Sequence, residues 1–583
     1  MTIKEIQGLL LNDFEVFKNT LLTNQEDILS RFEEEHVFIS ALSLENLQKK
    51  LDNIKGLSLE GHPLLGVPFV VKDNIDVDGF NTTAGCLAYS YTPKESAFAV
   101  KQLEQAGAIC IGKGNMDQFA TGLVGIRSPY GTATNSFNKD YIPGGSSSGS
   151  ASAVASGYAP FSLGTDTAGS GRVPAAFQNL IGLKPTKGTV SNVGVVPACK
   201  SQDCITIFAN VLEDAAKVLR LMAVYDINDP YSRKYYNGSE IVPLKTIAVP
   251  REDNLSFFGN HSYERAYSNF IEGLKQKGYE VKTIDFSPML NAAKLLYDGP
   301  WVAERYHAVG AFIEKNLEHV DKTVGSIILN GKNPSAIDYF EAEYNLARFK
   351  KEFEKYAALY KSFIMPTTGT IYTKTEVQEN PVALNSNLGY YTNFMNLLDC
   401  SAIALPVSIE EGNLPFGITL FSVAFQDEHL LNLANTLCQD KLLNLSDNSV
   451  DYIDLAVCGA HKKGGALNYQ LTEIGAVFKT TSFTLSEYRF FALEHMEPPR
   501  PGLIRDPDNG GKIEVEIWKV PSTKLGGFIH QVGAPLSFGK VLLENGESVT
   551  SFLSESYALS DAVEITRLQS WENYLIQKER NKS

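Results

Sequence analysis

Two stretches rich in glycine and serine carry the residues that could do chemistry in this chain. They are PGGSSSGSASAVASG at 143–157 and GTDTAGSGR at 164–172. A serine hydroxyl is a weak nucleophile at neutral pH, and it needs a base together with N–H donors for the developing oxyanion. Glycines let the backbone approach a ligand closely and turn several N–H groups towards one point. The two stretches could therefore supply a nucleophilic serine and a second hydroxyl that relays its proton.

The stretch at 143–157 has two other interpretations. Its composition is also typical of a flexible linker, but the chain continues at once into a small-residue helix pattern, a strand and the second glycine-rich loop. A phosphate-binding P-loop would require G-x-x-x-x-G-K-[ST], and no lysine follows these glycines. These observations favour a catalytic interpretation.

The base is the next question. Histidine is the usual partner of a nucleophilic serine, but none of the nine histidines lies in a recognisable motif near the two loops. Lys72 ends the apolar run GVPFVVK. Burial favours the neutral form of a lysine, so Lys72 is a candidate base, although a lone lysine at a strand end is more commonly exposed.

The elements that must position these residues follow from apolar patterning. Apolar runs near 64–71 and 106–115 flank a helical pattern at 97–108, which predicts a strand–helix–strand unit of an α/β domain with a buried sheet. The segment 205–223 begins as strand or helix and continues into a clear helix. Further predicted helices lie in 1–55, 262–278, 288–317 and 336–361, and further predicted strands in 362–368 and 401–409.

Length and composition predict more than one domain. The chain has 583 residues, more than one ordinary core accommodates. A polar stretch near 445–452 is followed by short alternating segments such as KIEVEIWKV. We expect a domain at 1–445, including helices in 1–55, and a smaller β-rich α+β domain at 452–583.

Charge and cysteine content exclude several classes of function. The net charge of −15 argues against nucleic-acid binding, which needs clustered Lys and Arg. Seven scattered cysteines without a C-x-x-C pair indicate neither a zinc site nor a disulfide framework. The first residues lack the pattern of a signal peptide, and no run approaches the roughly 20 apolar residues that span a bilayer. We therefore expect a cytoplasmic protein that binds no membrane.

Four separated motifs resemble those of the amidase signature family: GVPFVVKDNIDV, GKGNMDQFATG, PGGSSSGSASAVASG and GTDTAGSGRVPAA, in this order. The resemblance covers roughly residues 20–440. It implies an α/β amidase signature fold with a mixed central sheet covered by helices, and no metal or organic cofactor. It also implies a catalytic triad of Lys72, Ser146 and Ser170, with a cis peptide bond before Ser146. The implied oxyanion hole consists of the backbone N–H groups of Thr167, Ala168, Gly169 and Ser170.

A further stretch, LLYDGPWVAERY at 295–306, resembles one in allophanate hydrolases of this family. Tyr297 and Arg305 are eight residues apart, about two helical turns, so one helix face could present both to a substrate carboxylate. Gly122 is expected to line the same pocket, and Arg172 to anchor the nucleophile loop. The implied substrate is allophanate, which a urea carboxylase supplies in urea degradation, and the implied assembly is a homodimer. Whether the chain stands alone or derives from a fused urea amidolyase stays open.

The C-terminal region also resembles that of allophanate hydrolases, in LAVCGAHKKGGALNYQL and FALEHMEPPRPGLIRD. Hydrolysis of the amide leaves N-carboxycarbamate, which must lose carbon dioxide. His461, Tyr469 and His495 could bind or protonate it during that step. Alternatively, this domain only packs or mediates assembly.

Three alternatives to an allophanate hydrolase remain. One is another amidase signature hydrolase. A second is the glutamine-hydrolysing component of the glutamyl-tRNA amidotransferase, its A subunit, which shares the triad and a block like Asn115–Asp117. The third is a binding scaffold with a decayed site, which the filled triad positions argue against. The acidic chain, the stretch 295–306 and the extra C-terminal domain disfavour the amidotransferase.

Overall fold

The computed structural model describes residues 1–235, 245–445, 452–474, 476–560 and 562–580. The chain divides into two compact units, Met1–Ser449 and Val450–Ser583. The domain boundary predicted at 445–452 falls almost wholly on residues outside the described ranges. Each unit is described by itself below.

One mixed sheet of eleven strands runs through the described part of the first unit, in the order β1-β3-β2-β4-β6-β5-β10-β11-β9-β7-β8. Its strands are β1 (Phe38–Ala41), β2 (Pro68–Lys72), β3 (Ile109–Gly114), β4 (Phe161–Asp166), β5 (Ile181–Lys184), β6 (Cys204–Ala209), β7 (Thr246–Pro250), β8 (Glu280–Ile284), β9 (Phe363–Pro366), β10 (Cys400–Glu410) and β11 (Leu414–Val423).

Helices pack against this sheet, so the predicted α/β fold with a helix-covered mixed sheet is confirmed. The helices are α1 (Ile3–Asn12), α2 (Phe14–Ser30), α3 (Phe32–Glu35), α4 (Leu44–Ile54), α5 (Phe98–Gln105), α6 (Ser148–Ala155), α7 (Val173–Phe177), α8 (Leu212–Met222), α9 (His261–Gln276), α10 (Ser287–Lys294), α11 (Val302–Ile313), α12 (Lys322–Leu329), α13 (Ala336–Leu359), α14 (Lys374–Glu379), α15 (Ala383–Leu388) and α16 (Asp427–Gln439).

Three neighbouring strands near one side of the sheet position the site. Strand β2 is parallel to both β3 and β4, and every residue of these three strands is buried. Such burial on both faces explains the continuous apolar runs of the sequence. Because the carboxyl ends of neighbouring parallel strands meet at one edge, the segments that follow Lys72, Gly114 and Asp166 converge there.

Two predicted elements differ from the structure. The helix predicted over 288–317 is two helices, α10 and α11, separated by residues 295–301. Gly299 and Pro300 lie in this break, where proline lacks the N–H that a continuing helix requires. The N-terminal helices are present, but β1 lies among them and pairs with β3.

The second unit is rich in β-structure. Its described strands form a five-stranded sheet in the order β13-β16-β12-β18-β17 and a three-stranded sheet in the order β15-β14-β19. The strands are β12 (Tyr452–Val457), β13 (Val477–Phe483), β14 (Tyr488–Leu493), β15 (Arg500–Arg505), β16 (Glu514–Pro521), β17 (Leu536–Leu542), β18 (Ser548–Ser554) and β19 (Val563–Glu564), and the helices are α17 (Asn468–Glu473), α18 (Ser522–His530) and α19 (Trp571–Arg580). No helix in the described ranges is long and apolar enough to cross a membrane.

Candidate active site

Lys72, the last residue of β2, is fully buried. Its Nζ donates hydrogen bonds of 2.7 Å to Ser146 Oγ and 2.7 Å to Thr165 Oγ1. Burial lowers the pKa of Lys72 to about 7, although the nearby carboxylates, Asp117 foremost, act in the opposite direction. A large fraction of this lysine is therefore neutral at neutral pH, as a general base must be.

Ser146 follows a cis peptide bond, Gly145–Ser146, as expected. The two serines beside it are used differently: Ser147 Oγ donates to the backbone oxygen of Thr165, and Ser148 Oγ donates to that of Asn115. Among these three serines, the Lys72 ammonium donates only to the hydroxyl of Ser146. The contacts therefore distinguish Ser146 from its neighbours.

Ser170 lies in the loop that follows β4, and its Oγ donates a long hydrogen bond of 3.5 Å to the backbone oxygen of Gly122. Within the described residues, no hydrogen bond joins the hydroxyls of Ser170 and Ser146. Catalytic hydrogen bonds are often loose before substrate binds. The structure thus links Lys72 to Ser146 and places Ser170 against Gly122, the residue that was expected to line the pocket.

The four predicted oxyanion donors are not equivalent. The Gly169 N–H donates to Asp166 Oδ1 at 2.8 Å, so it is already occupied. The N–H groups of Thr167, Ala168 and Ser170 have no acceptor among the described residues. The predicted set of four is therefore corrected to three available donors, because the carboxylate that shapes the loop takes one of them.

Arg172 anchors this loop, as predicted. Its guanidinium binds the Asp166 carboxylate through two hydrogen bonds of 2.8 and 2.9 Å, and it also donates to the backbone oxygen of Thr392 at 3.1 Å. Both charged side chains are completely buried. Burial alone would raise the pKa of Asp166, but Arg172 outweighs it, and the pKa is lowered.

Asp117 shapes the loop around Gly122, a role that sequence reasoning missed. Its carboxylate accepts the N–H groups of Gly125 at 3.0 Å and Arg127 at 2.9 Å. Gly122 has φ +153°, and a Cβ there would lie 2.7 Å from Asp117 Oδ2. A Cβ on Gly145 would lie 2.1 Å from the same oxygen. Both positions therefore require glycine, because the Asp117 carboxylate leaves no space for a Cβ. The motif GKGNMDQ was the sequence signal that could have indicated Asp117.

Tyr297 and Arg305 meet, but not on one helix face as predicted. Tyr297 lies in the break between α10 and α11, whereas Arg305 lies within α11. The turn containing Gly299 and Pro300 folds the tyrosine back, so that Arg305 Nη2 donates to Tyr297 Oη at 3.3 Å. The structure brings the two residues together through this turn and not on one helix face, and their role in substrate binding stays a prediction.

Arg305 is buried without a carboxylate partner in the described part of the chain. It is 2% exposed, and its Nη1 donates to Thr121 Oγ1 at 3.2 Å. Asp203 attracts Arg305 from beyond hydrogen-bonding distance, since the Arg305 charge acts to lower the pKa of Asp203, but no described carboxylate contacts the guanidinium directly. A buried guanidinium without a contacting carboxylate is unfavourable, so this position is suited to an anionic ligand. Thr121 precedes Gly122, which contacts the Ser170 hydroxyl. A bound anion at Arg305 would thus lie close to Ser170.

Two further acidic residues were missed by sequence reasoning. The Asp203 carboxylate accepts a hydrogen bond from Thr167 Oγ1 and one of 2.9 Å from the Ala198 N–H, and burial raises its pKa to about 6. Glu304 accepts hydrogen bonds from residues 199 and 201. No local spacing pointed to either residue, because Asp203 is 36 residues from Thr167 and Glu304 is 103 residues from residue 201.

The three residues predicted for a C-terminal site are not brought together. His461 is buried, its Nε2 is 2.9 Å from Gln470 Oε1, and its ring stacks on Phe552 with centroids 5.0 Å apart. Tyr469 is 52% exposed and His495 is also exposed. No described contact joins any two of the three. Nor do the described residues contain a group of three or more His, Cys, Asp or Glu arranged to hold a metal ion.

Comparison with known protein families identifies the family to which the first unit belongs. The model of the family named Amidase matches residues 31–431. The chain belongs to the amidase family. The predicted enzyme class, an amidohydrolase, is confirmed by this membership. A second family model, described as the allophanate hydrolase C-terminal domain, matches residues 453–576.

Similar proteins agree with both matches. The chain is 43% identical over 576 residues to the urea amidolyase of Saccharomyces cerevisiae, covering 93% of this chain but only 31% of that protein. It superimposes on the allophanate hydrolase of Kluyveromyces lactis with a TM-score of 0.75 and 38% identity, covering 99% of both chains. The A subunit of the glutamyl-tRNA(Gln) amidotransferase of Streptococcus pneumoniae is 31% identical over 473 residues, covering 74% of this chain and 94% of that protein.

Proposed function

We propose that this chain hydrolyses allophanate to ammonia and N-carboxycarbamate, which then loses carbon dioxide. The observation that carries the proposal is Arg305, a buried guanidinium without a carboxylate partner among the described residues. It lies beside the segment that contacts Ser170. The similarity to an allophanate hydrolase over the whole chain supports the same substrate.

Allophanate suits this arrangement because it is a short amide with a carboxylate two bonds from the amide carbon. Arg305 would bind that carboxylate through paired, charge-assisted hydrogen bonds. Tyr297 Oη accepts a hydrogen bond from Arg305, so its own O–H is available to donate to the same carboxylate. Low exposure of the site strengthens these interactions.

The acylation step uses the triad proposed for this family. Neutral Lys72 takes the proton of the Ser146 hydroxyl, and Ser146 takes the proton of Ser170. Ser170 Oγ forms a bond to the amide carbon while the carbonyl π electrons move to oxygen. The N–H groups of Thr167 and Ala168, together with that of Ser170, stabilise the resulting oxyanion.

Collapse of the tetrahedral intermediate breaks the carbon–nitrogen bond. Ser146 donates a proton to the leaving nitrogen and regains one from Lys72, so that ammonia departs. Water then attacks the acyl-enzyme, with the same relay accepting its proton. The product carries the original carboxylate and a second one formed from the amide carbon, and Ser170 is regenerated.

The reaction would follow a urea carboxylase, which makes allophanate from urea. The S. cerevisiae relative is a urea amidolyase, and this chain matches about a third of its length. We propose a urea carboxylase as the functional partner on that basis. The homodimer expected from the family resemblance stays a prediction, which the molar mass of the protein in solution would test.

The decarboxylation step also stays a prediction for the second unit. His461 is the one predicted residue there with a defined buried environment. If it acts on N-carboxycarbamate, His461→Gln will slow release of carbon dioxide while the first ammonia is released at the normal rate. If His461 only packs against Phe552, the ratio of carbon dioxide release to ammonia release will be the same in His461→Gln as in the unaltered chain.

Ammonia release from four amides tests the main proposal: allophanate, malonamate, glutamine and propionamide. We expect strong preference for the first two, loss of that preference in Arg305→Ala, and no turnover in Ser170→Ala. Turnover of propionamide but not of the carboxylated amides would discard the Arg305 site. Preference for glutamine would instead favour an amidotransferase component, the relation suggested by the S. pneumoniae protein.

A further inference from the structure

The segment 198–203 connects Arg305 to the oxyanion loop through side chains that the mechanism does not use. At one end, Glu304 accepts the Ser201 N–H at 2.7 Å, the Ser201 hydroxyl at 2.7 Å and the Cys199 thiol at 2.9 Å. Glu304 lies in the first turn of α11 and is adjacent in sequence to Arg305. Three donors on one carboxylate therefore fix the start of the helix that carries the guanidinium.

At its other end, the same segment holds the nucleophile loop. Asp203 accepts the Thr167 hydroxyl and the Ala198 and Cys199 N–H groups. Asn396 Nδ2 donates to the backbone oxygens of Gln202 and Asp166, both at 2.7 Å. Thr167 is thus fixed through its side chain, which leaves its N–H available for the oxyanion.

We propose that Glu304 and Asp203 are positioning residues that hold Arg305 at a fixed distance from the oxyanion loop, and so select amides by the spacing between carboxylate and amide carbon. This inference rests on the proposed function, because it assumes that Arg305 binds a substrate carboxylate. Neither residue needs to touch the substrate. The Asp203 carboxylate is already saturated by donors from the protein, and Glu304 faces residues 199 and 201.

A fixed spacing has a measurable consequence for substrates of different length. Malonamate reproduces the spacing of allophanate, with a methylene in place of the central N–H, and succinamate is one methylene longer. A misfit of one methylene in a rigid pocket changes kcat/KM by about 10–200-fold. A loosely held Arg305 would accommodate the longer substrate and reduce this ratio.

The test measures kcat and KM for malonamate and succinamate in the whole chain and in four variants. In Glu304→Gln only one side-chain oxygen remains to accept hydrogen bonds from residues 199 and 201, where two accept in the unaltered chain. Ser201→Ala removes one hydrogen-bond donor and leaves the Glu304 carboxylate in place. Ser201→Thr keeps the hydroxyl and serves as the conservative rescue. Glu318→Gln is the matched control, because its side chain is 70% exposed and its one ion pair in the described residues is with His319.

We expect the malonamate-to-succinamate ratio of kcat/KM to fall about tenfold in Glu304→Gln and several-fold in Ser201→Ala. Most of the change should lie in kcat, because substrate still binds but sits badly against the oxyanion donors. Ser201→Thr and Glu318→Gln should keep the normal ratio. If Glu304→Gln fails to fold, Ser201→Ala decides the question.

Three results would overturn the inference, and the first two leave the proposed function intact. The first is an unchanged ratio in both Glu304→Gln and Ser201→Ala, with normal activity on allophanate. The second is equal use of malonamate and succinamate by the unaltered chain. Failure of the unaltered chain to hydrolyse any carboxylated amide would instead remove the proposed function, and the inference with it.

Discussion

Replacing Arg305 with methionine separates a binding role from a structural one. Methionine keeps much of the volume of the side chain and removes the charge. In the folded protein Arg305 donates hydrogen bonds of 3.2 Å to Thr121 Oγ1, 3.3 Å to Tyr297 Oη and 3.5 Å to the backbone oxygen of Ala120, all at or beyond the long end of the normal range. Together they stabilise the fold by about 3 kcal/mol. Burial of an unpaired guanidinium costs several kcal/mol, so the net loss of stability in Arg305→Met should be near zero.

The effect on catalysis should be much larger. A carboxylate bound through two charge-assisted hydrogen bonds contributes about 3–6 kcal/mol, which corresponds to a fall of roughly 10²–10⁴-fold in kcat/KM. The control is Arg172→Met, because Arg172 pairs with a fully buried Asp166. Breaking that pair should cost about 3–5 kcal/mol of stability.

Two assays give the answer: ammonia release from allophanate, and thermal unfolding of the three proteins. We expect Arg305→Met to melt close to the unaltered chain and Arg172→Met to melt well below it. If Arg305→Met is destabilised as much as Arg172→Met, the arginine is a structural residue. If its kcat/KM stays within about tenfold of normal, it does not bind the substrate carboxylate. Either result would refute the reasoning.

Three other predictions concern groups with defined environments. Because the base must be neutral, kcat/KM should rise with pH up to about 7, the lowered pKa of Lys72, and then level off; a flat profile from about pH 5 to 8 would exclude Lys72 as the base. Ser170→Ala should abolish labelling by a serine-reactive probe, whereas Ser147→Ala, whose hydroxyl bonds Thr165, should still be labelled; the opposite pattern would reassign the nucleophile. Burial lowers the pKa of His429 from 6.5 to about 4, so its neutral form stabilises the fold by about 3 kcal/mol above pH 6.5. That contribution is lost as the pH falls towards 4, and thermal unfolding of His429→Gln should show a weaker pH dependence over this range than the unaltered chain.

Local chemistry made part of the site predictable. Lys72 ends an apolar run, and Ser146 and Ser170 lie in glycine-rich loops, so residue type and neighbours made these segments candidates for catalysis. The strands near these residues could also be predicted, because buried parallel strands have continuous apolar sequences. The family resemblance then distinguished Ser146 from the serines next to it, a choice that composition could not make.

Long-range contacts made the rest unpredictable. Tyr297 and Arg305 were expected on one face of a continuous helix. The helix is interrupted at Gly299 and Pro300, and the turn there brings the two side chains together. Glu304 meets Ser201 across 103 residues, and no periodicity encodes that distance. In the second unit, His461 contacts Gln470 through its ring nitrogen and stacks on Phe552. Residue type alone does not reveal these contacts.

The parallel arrangement of β3, β2 and β4 also bears on partly unfolded forms of the protein. Lys72 ends β2, and its hydrogen bond to Thr165 is made to β4, the adjacent strand. Any opening that separates these two strands breaks this contact of the proposed base and exposes Lys72 to water, where its ordinary basicity returns. If Lys72 is the base, we expect hydrolytic activity to be lost as soon as β2 and β4 separate. On the proposed mechanism, a chain that is still folding, or that has begun to unfold, would carry no active serine with which to attack other amides.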